Sequence, residues 1–242
     1  MIWAVLRGEL AASSADSSGA EGGRSLSVVD VGGGTGGFSV PLAQAGHTVT
    51  VVDPSPDALA ALLRRAADAG VADRVSALQG DADSLSELIP AGSADLVLCH
   101  AVLEVVDDPP AVADALARVL RPGGAASVLV ANRAAAVLSR AIGGQFGHAA
   151  SLLRGAMPAS TSSAGRDALR RRFDAHEAGA LLEAAGLAVE QIHGVRVVAD
   201  LVPGVLADAD PEGLTAFELE ASTLPPYRDI ATQLHLLARL RQ

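Results

Sequence analysis

The stretch DVGGGTGG (residues 30–37) decides the fold, because it joins an apolar strand pattern to a helical one. The run SVVD (27–30) precedes it, and residues 38–45 after it carry apolar side chains at helical spacing. Glycines in such a turn let the backbone pass close beneath a ligand. In a parallel α/β sheet the turn lies at the carboxyl edge of the strands, where ligands bind. The stretch therefore predicts a ligand-binding loop.

Further apolar runs continue the strand–helix alternation along the chain. They are TVTVVD (48–53), RVSALQ (74–79), DLVLCH (95–100) and ASVLVA (126–131). Near-continuous apolar runs are typical of strands that are buried on both faces of a parallel sheet. Helical patterns at 56–69, 84–89 and 110–120 lie between them. Five strand–helix repeats predict right-handed crossovers and a doubly wound sheet.

The rhythm changes after residue 131. Residues 132–173 contain a Gly-Gly pair, a proline and a Ser/Thr cluster, which indicates a helical insertion after strand five. A helix at 174–185, a strand at 188–198, a helix at 211–223 and a strand at 233–240 complete the pattern. We therefore expect an α/β, Rossmann-like sheet of seven strands, mostly parallel, with an antiparallel last strand.

The first 24 residues are expected to lie outside the main domain at 25–242. Residues 2–10 form a short amphipathic pattern, and residues 11–24 (AASSADSSGAEGGR) are typical of a flexible connection.

Composition excludes several classes of protein. The chain has 242 residues and a net charge of −10, and all 18 basic residues are arginines. Without lysine there is no Schiff-base nucleophile and no Walker A lysine. A single cysteine, Cys99, excludes an internal disulfide, and the six histidines show no metal-ligand spacing. No apolar run reaches the ~18 residues of a membrane helix, and the opening residues make a poor secretory signal, so we expect a soluble, cytoplasmic protein without metal.

Two ligand classes fit the glycine stretch. Gly32, Gly34 and Gly37 match the dinucleotide fingerprint, which favours a nicotinamide or flavin cofactor. The acid Asp30 at the end of the strand favours a ligand with a cationic ammonium group instead. Asp53, at the end of the second strand, suits the ribose diol of either ligand.

A wider set of motifs resembles the class I S-adenosylmethionine-dependent methyltransferases. The motifs are DVGGGTG (30–36), Asp53, GDA (80–82), HAVLE (100–104) and LRPGG (120–124). The resemblance implies that the glycines cradle the methionine moiety, that Asp53 holds the ribose, that Asp81 and Ala82 flank the adenine, and that His100 lies beneath the methionine end. The cofactor-binding residues implied are Asp30, Gly32, Gly33, Gly34, Gly36, Asp53, Pro54, Gly80, Asp81, Ala82 and His100.

Other segments are similar to the bacterial tRNA carboxymethoxyuridine methyltransferases, which methylate a carboxylate on a wobble uridine. They are LCHAVLEVVDDP (98–109), GAMP (155–158), GVRVVADL (194–201) and ELEASTLPPY (218–227). Two features depart from that family. ASTSS follows Met157-Pro158 where the family has a lysine-rich run, and we expect the family's N-terminal segment that helps cover the cofactor to be missing, either truly or through a misplaced start.

The charge is unevenly distributed along the chain. The insertion carries seven arginines and one acidic residue, Asp167; the arginines are Arg133, Arg140, Arg154, Arg166, Arg170, Arg171 and Arg172. A basic insertion on an acidic protein favours an anionic substrate, either tRNA or a small molecule. The alternative is that the run at 170–172 is the solvated face of a helix.

An acceptor carboxylate is already ionised at neutral pH and needs no general base. An arginine can hold this carboxylate in bidentate geometry. Arg196 is the first candidate for this role, and Arg154 and Tyr227 are weaker candidates. Arg196 has an alternative role in an ion pair with Glu218, Glu220 or Asp200, and His100 has one as a buried structural histidine. A small-molecule O-methyltransferase and a catalytically silent cofactor-binding protein remain the alternative functions. The sequence predicts no oligomeric state.

Overall fold

A computed structural model describes residues 1–15, 24–155 and 171–241. Seven strands form one sheet: β1 (Ser27–Val31), β2 (Thr48–Asp53), β3 (Val75–Gln79), β4 (Ala94–His100), β5 (Leu120–Ala131), β6 (Leu187–Val195) and β7 (Gln233–Leu240). The helices are α1 (Ile2–Ala15), α2 (Ser39–Gln44), α3 (Pro56–Asp68), α4 (Leu85–Leu88), α5 (Pro109–Val119), α6 (Arg133–Ile142), α7 (Phe146–Leu153), α8 (Ala175–Ala184), α9 (Gly204–Ala209) and α10 (Pro211–Ala221).

The strand order is β3-β2-β1-β4-β5-β7-β6. Strands β1 to β5 pair in parallel, whereas β7 runs antiparallel to both β5 and β6. The order reverses between β1 and β4, which creates the crevice where doubly wound sheets bind ligands. The predicted seven-stranded, mostly parallel fold is confirmed.

Helices cover both faces of the sheet. On one face, α1, α2 and α3 bury Leu6, Leu42 and Leu62. On the other face, α5 and α8 bury Leu116 and Leu182. Because both faces are covered, the central strands contain almost only apolar residues, which is the pattern that the sequence displays.

Helix α1 is longer than expected and belongs to the core. It continues to Ala15, so residues 11–15 are helical and not part of a flexible connection, because the alanine-rich run extends the helix. Leu6 and Leu10 are buried against the sheet. Arg239 of β7 donates hydrogen bonds to Glu9 of α1 and to Glu190 of β6, which ties the helix to the last two strands.

Strand β6 ends three residues earlier than its apolar pattern predicted. Arg196 adopts a left-handed conformation with φ of 60°, which breaks the strand after Val195. The carboxylate of Glu218 then accepts hydrogen bonds from the backbone of Val197, Val198 and Ala199. The residues beyond Val195 therefore form a loop at the carboxyl edge of the sheet.

Two other boundaries differ from the sequence prediction. Strand β5 begins at Leu120 and not at Ala126, since Leu120 pairs with Ala94 and Ala125 with Leu96 on either side of a register shift in β4. The helix expected over 84–89 is a 3₁₀ turn, Ala82–Ser84, followed by the single turn of α4. Helix α9 was not predicted.

The insertion leaves and re-enters the sheet at one point. Asn132 bridges to Phe173, with the N–H of Phe173 donating to Ala131 and the N–H of Arg133 donating to Phe173. Helices α6 and α7 lie between these ends. The predictions that involve Met157, Pro158, Arg166, Asp167 and Arg170 lie outside the described residues.

The helices of the described residues are not of the membrane-spanning kind. None of their helices has both the length and the apolar character that a membrane crossing requires.

Truncating Leu6 tests whether α1 belongs to the core. Leu6 is completely buried, so Leu6→Ala should lower the free energy of unfolding by about 2–5 kcal/mol, as measured by urea denaturation. The matched control is Leu153→Ala in α7, where the side chain is 71% exposed and little change is expected. Equal small effects at both positions would contradict a core role for the helix.

Candidate functional site

The glycine loop after β1 is fastened to the end of β2. The N–H of Gly32 donates to the carbonyl of Val52 at 2.7 Å, and the N–H of Gly34 donates to the carboxylate of Asp53 at 2.9 Å. The other carboxylate oxygen of Asp53 accepts from the N–H of Ser55, also at 2.9 Å. Asp53 thus holds two loops together at the carboxyl edge, and each of its oxygens keeps a further lone pair for a ligand.

Gly32 fixes how closely the loop approaches the segment after β4. Its φ is +69°, and a Cβ atom at this position would lie 2.5 Å from Cγ2 of Val102. Only glycine fits both the backbone conformation and this contact. The predicted cradle therefore packs directly against the β4 loop.

Asp30 lies beneath the loop, fully buried. Ser39 at the start of α2 donates a hydrogen bond to its carboxylate at 2.5 Å. Burial raises the pKa of Asp30 to about 6, because desolvation and the nearby charge of Asp53 outweigh the hydrogen bond from Ser39. Asp30 supports the cradle from below and does not line the cavity above it.

A cavity of about 430 Å³ lies over the carboxyl ends of these strands; we call it the β1–β4 pocket. Its lining residues are Val31, Gly32, Val52, Asp53, Pro54, Asp81, Ala82, Asp83, His100, Ala101, Val102, Val105, Val106 and Asp107. Six of the eleven implied cofactor-binding residues are in this lining. The other five lie beside it or, like Asp30, support it.

Gly33, Gly34, Gly36 and Gly80 lie at the edge of this pocket. Gly33 lies so close to the Asp30 carboxylate that a Cβ atom at this position would collide with it. Gly36 packs in the same way against Leu62 of α3. Gly80 donates its N–H to the carbonyl of Asp53 at 3.3 Å. Together these contacts hold the loops after β1 and β3 close to the end of β2.

His100 ends β4 in the wall of the pocket. Its Nε2 shares a hydrogen bond with the Ser127 hydroxyl at 2.9 Å, and the ring meets Phe38 edge-on with centroids 4.7 Å apart. Burial lowers the pKa of His100 to about 4, so the ring is neutral at pH 7. His100 is therefore a buried, hydrogen-bonded histidine, as the alternative interpretation held, and it also lies in the wall of the pocket.

A second cavity, of about 250 Å³, lies over the other half of the sheet; we call it the β5–β7 pocket. Its polar lining comes from Asn132, Ser139, Arg140, Arg172, Asp200 and Thr232, and its apolar lining from Ala135, Ala136, Leu138, Val197, Leu201 and Ile230. Asn132 is committed to backbone partners: it donates to Asp229 and Ala231 and accepts from Ala134. Arg140 and Arg172 are the basic residues of this lining, and Asp200 is its acidic residue.

The three residues predicted to contact the acceptor are not brought together. Arg196 forms an ion pair with Asp200, one of the alternatives from the sequence, and only Asp200 of the pair lines the β5–β7 pocket. Arg154 is exposed at the end of α7, and Tyr227 is half exposed between α10 and β7. Sequence reasoning missed Arg140 and Arg172 as lining residues, although the basic insertion contains both.

Metal and cysteine chemistry find no support in the described residues. They contain no group of three His, Cys, Asp or Glu side chains that could hold a metal ion. Cys99 is buried within β4, and burial raises the pKa of its thiol. An unreactive core cysteine fits these observations.

Comparison with known proteins assigns the class. A methyltransferase-domain family matches residues 29–128, which span β1 to β5. Over 169 residues the chain is 33% identical to the ubiquinone biosynthesis O-methyltransferase of Pseudomonas paraeruginosa, covering 69% of this chain and 67% of that protein. The chain belongs to the class I S-adenosylmethionine-dependent methyltransferases, as the motifs indicated.

A more specific likeness covers nearly the whole chain. Over 222 residues it is 29% identical to the tRNA 5-carboxymethoxyuridine methyltransferase of Escherichia coli K12, covering 91% of this chain and 82% of that protein. Among solved structures, an S-adenosylmethionine-dependent methyltransferase from Mesorhizobium loti matches with a TM-score of 0.62 and 21% identity, over 98% of this chain and 96% of that one. This match shows that the chain and the Mesorhizobium loti protein have the same fold.

The residues of the β1–β4 pocket fit S-adenosylmethionine. Asp53 offers acceptor oxygens to a ribose diol, and Ala82, Val102 and Val106 offer apolar surface to a flat base. Nδ1 of His100, a residue of the lining, is buried without a hydrogen-bond partner among the described residues. The class therefore confirms the cofactor, and Asp53 and the apolar side chains of the pocket suit its nucleoside part.

Asp53→Ala should weaken binding of S-adenosylhomocysteine by ~1–3 kcal/mol, because the charge-assisted hydrogen bonds to the ribose are lost. Isothermal titration calorimetry measures the change directly. Asp57→Ala, on the exposed first turn of α3, is the matched control and should leave the affinity unchanged. Unaltered binding by Asp53→Ala would remove this carboxylate from the site.

Asp30 lowers the stability of the fold at high pH and has no such effect at low pH. Its pKa is raised from 3.8 in the unfolded chain to about 6 in the fold, so ionisation above pH 6 opposes folding and protonation below pH 4 removes that cost. Asp30→Asn should therefore stabilise the ligand-free protein by about 3 kcal/mol at pH 8, with the gain disappearing by pH 4. Parallel pH curves for the two proteins, from urea denaturation, would refute the assignment.

Proposed function

We propose that this methyltransferase O-methylates a carboxylate, and that the acceptor is a wobble carboxymethoxyuridine in tRNA. The alignment over 91% of the chain with a tRNA 5-carboxymethoxyuridine methyltransferase supports this acceptor. The proposal also requires the protein, whose net charge is −10, to bind a polyanion.

The single observation that carries the proposal is the basic lining of the β5–β7 pocket. Arg140 of α6 and Arg172, from the end of the insertion, line the same cavity of a strongly acidic protein. The guanidinium group binds carboxylates and phosphates in planar, bidentate geometry. Local positive charge beside the cofactor pocket is what recognition of a carboxylate on a nucleic acid needs.

Both pockets lie over the carboxyl edge of the sheet, and hydrogen bonds connect residues that lie beside them. The carboxylate of Glu104 accepts from the N–H of Ala131 at 2.7 Å, and its carbonyl accepts from the N–H of Arg171 at 3.0 Å. The guanidinium of Arg171 donates to the carbonyl of Val106, which lines the β1–β4 pocket. These hydrogen bonds tie the segment after β4 to the end of the insertion, between the proposed donor site and the proposed acceptor site.

The residues present suit a reaction that needs alignment and little proton transfer. When bound, S-adenosylmethionine supplies a methyl group activated by the sulfonium. Arg140 and Arg172 orient the acceptor carboxylate, which is ionised at neutral pH, while Leu138, Leu201 and Ile230 supply apolar surface to the β5–β7 pocket. Arg196 holds Asp200, which also accepts a hydrogen bond from Thr232, and so shapes the wall.

A small-molecule O-methyltransferase is the second candidate. It is favoured by the apolar side of the β5–β7 pocket and by the 33% identity to a ubiquinone biosynthesis O-methyltransferase. An aromatic acceptor with an acidic substituent would meet the same arginines and the same apolar surface.

Nucleoside analysis of a strain that lacks the gene separates the two candidates. We expect the tRNA of that strain to lack the methyl ester of carboxymethoxyuridine, and the purified protein with S-adenosylmethionine to restore it, as detected by mass spectrometry. Unchanged nucleosides, together with methyl transfer to a component of the metabolite extract, would reject the tRNA acceptor in favour of a small molecule.

Arg172→Gln should raise the KM for the acceptor by about tenfold or more and leave the Kd for S-adenosylhomocysteine unchanged, because a charge-assisted acceptor contact is removed from a side chain that does not line the β1–β4 pocket. The matched control is Arg118→Gln on α5, near the amino ends of the strands, which should alter neither constant. Testing Arg196→Ala in the same assay shows whether Arg196 also contributes. Equal KM values for Arg172→Gln and the control would exclude the β5–β7 pocket as the acceptor site.

A further inference from the structure

The end of the insertion is fixed to two parts of the carboxyl edge. Phe173 is buried, and its N–H donates to the carbonyl of Ala131 at the end of β5 at 3.0 Å. Two residues earlier, the N–H of Arg171 donates to the carbonyl of Glu104 at 3.0 Å. Residues 171–173 therefore run from the segment after β4 to the end of β5.

The side chains of Arg171 and Arg172 have different surroundings. Arg172 lines the β5–β7 pocket, whereas Arg171 lines neither that pocket nor the β1–β4 pocket. The guanidinium of Arg171 instead donates from Nη1 to the carbonyl of Val106 at 3.0 Å, and Val106 lines the β1–β4 pocket. This hydrogen bond is partly buried, which reduces competition from water and strengthens the contact.

The part of the pocket wall that Arg171 touches is a loop. Residues 101–107 follow β4 without forming a helix or a strand. The N–H groups of Val105 and Val106 both donate to the carbonyl of Val102, at 2.9 and 3.3 Å, so the middle of the loop is a single turn. Five residues of this loop line the β1–β4 pocket: Ala101, Val102, Val105, Val106 and Asp107.

The backbone of Ala101 shows that the loop depends on contacts from outside. Its φ is 58°, in the left-handed region that alanine seldom adopts. Such a conformation persists only where the surrounding structure holds it. At its start the loop is held by β5, because the N–H of Ala101 donates to the carbonyl of Leu129 at 2.9 Å. Toward its end it is held by Arg171, through the carbonyls of Glu104 and Val106.

We propose that Arg171 is a positioning residue for the cofactor site: its guanidinium holds the carbonyl of Val106 and so keeps residues 101–107 in the conformation that receives S-adenosylmethionine. Arg171 acts through the loop and does not touch the cofactor. A pocket wall that is in place before binding spares the ligand the entropic cost of ordering it. Since Arg172 lines the proposed acceptor site, two successive arginines serve the two substrates, and only this last statement rests on the proposed function.

Isothermal titration calorimetry with S-adenosylhomocysteine tests the role of the guanidinium. Arg171→Met keeps an unbranched apolar stem but cannot donate to Val106, and it should raise the Kd by about tenfold. Arg171→Lys keeps a charged donor for this single carbonyl and should recover most of the affinity. An unchanged Kd in Arg171→Met, or no recovery in Arg171→Lys, would overturn the proposal.

Arg172→Met is the matched control for charge. It removes the same charge from the next residue, which lines the other pocket, and should leave the Kd for S-adenosylhomocysteine unchanged. The effect of Arg171→Met should persist at about 0.5 M salt, because salt screens long-range attraction far more than a partly buried hydrogen bond. Equal losses in the two variants, or a loss that vanishes at high salt, would show a general effect of charge and overturn the proposal.

Hydrogen exchange measured by NMR separates positioning from overall stability. In the ligand-free wild-type protein the amides of Val105 and Val106 should be protected, since both are hydrogen-bonded within the loop. Arg171→Met should accelerate their exchange and leave that of Leu98, buried in β4, unchanged. Equal acceleration at Leu98 would indicate a loss of global stability and overturn the proposal. Rapid exchange of both loop amides in the wild-type protein would overturn it even if no variant folds.

These measurements use the product of the cofactor alone. Their outcome is therefore independent of which acceptor is methylated, and their failure would leave the proposed function to be decided by the nucleoside analysis.

Discussion

The hydrogen bond from the N–H of Gly34 to the carboxylate of Asp53 holds the glycine loop over the end of β2, and the cofactor site depends on it. Together with the hydrogen bond from the N–H of Gly32 to the carbonyl of Val52, it links the loop after β1 to the second strand. The same carboxylate also fixes the start of α3 through Ser55, so one side chain aligns the two loops between which the cofactor binds. The close contact of Gly32 with Val102 adds the β4 loop to this arrangement.

The carboxyl edge of the sheet is divided between two tasks. The half over β1 to β4 is acidic and narrow-walled and fits the nucleoside cofactor, whereas the half over β5 to β7 carries arginines and apolar side chains. The helical insertion supplies the basic side, and it starts and ends at the same point of the sheet, beside Asn132. Arg140 and Arg172 thus come to line a pocket over the carboxyl edge within a protein that is acidic as a whole.

The sequence predicted those parts of the fold and site that depend on local pattern. Buried strands produce apolar runs, and the loop residues that follow β1, β2 and β3 come directly after those runs, so Gly32, Asp53 and Asp81 could be placed in one pocket. The exact ends of the strands and helices were harder to predict from the sequence. Strand β6 stops where Arg196 adopts a positive φ, and nothing in the apolar pattern marks that conformation.

Contacts between distant segments could not be predicted from local pattern. Arg140, Arg172 and Thr232 meet only because the insertion returns to the sheet beside the loop before β7. Likewise, Ser127 and His235 are 108 residues apart and become neighbours through the antiparallel pairing of β5 with β7. Chemistry that arises from such pairing is visible only in the folded chain.

A crystal structure of the protein with S-adenosylhomocysteine tests the central claim most directly. The account predicts that the ligand fills the β1–β4 pocket, with its ribose hydroxyls within hydrogen-bonding distance of Asp53 and its amino-acid end toward the glycine loop. A ligand bound elsewhere, or a pocket that admits only a pyrophosphate-containing dinucleotide, would contradict it.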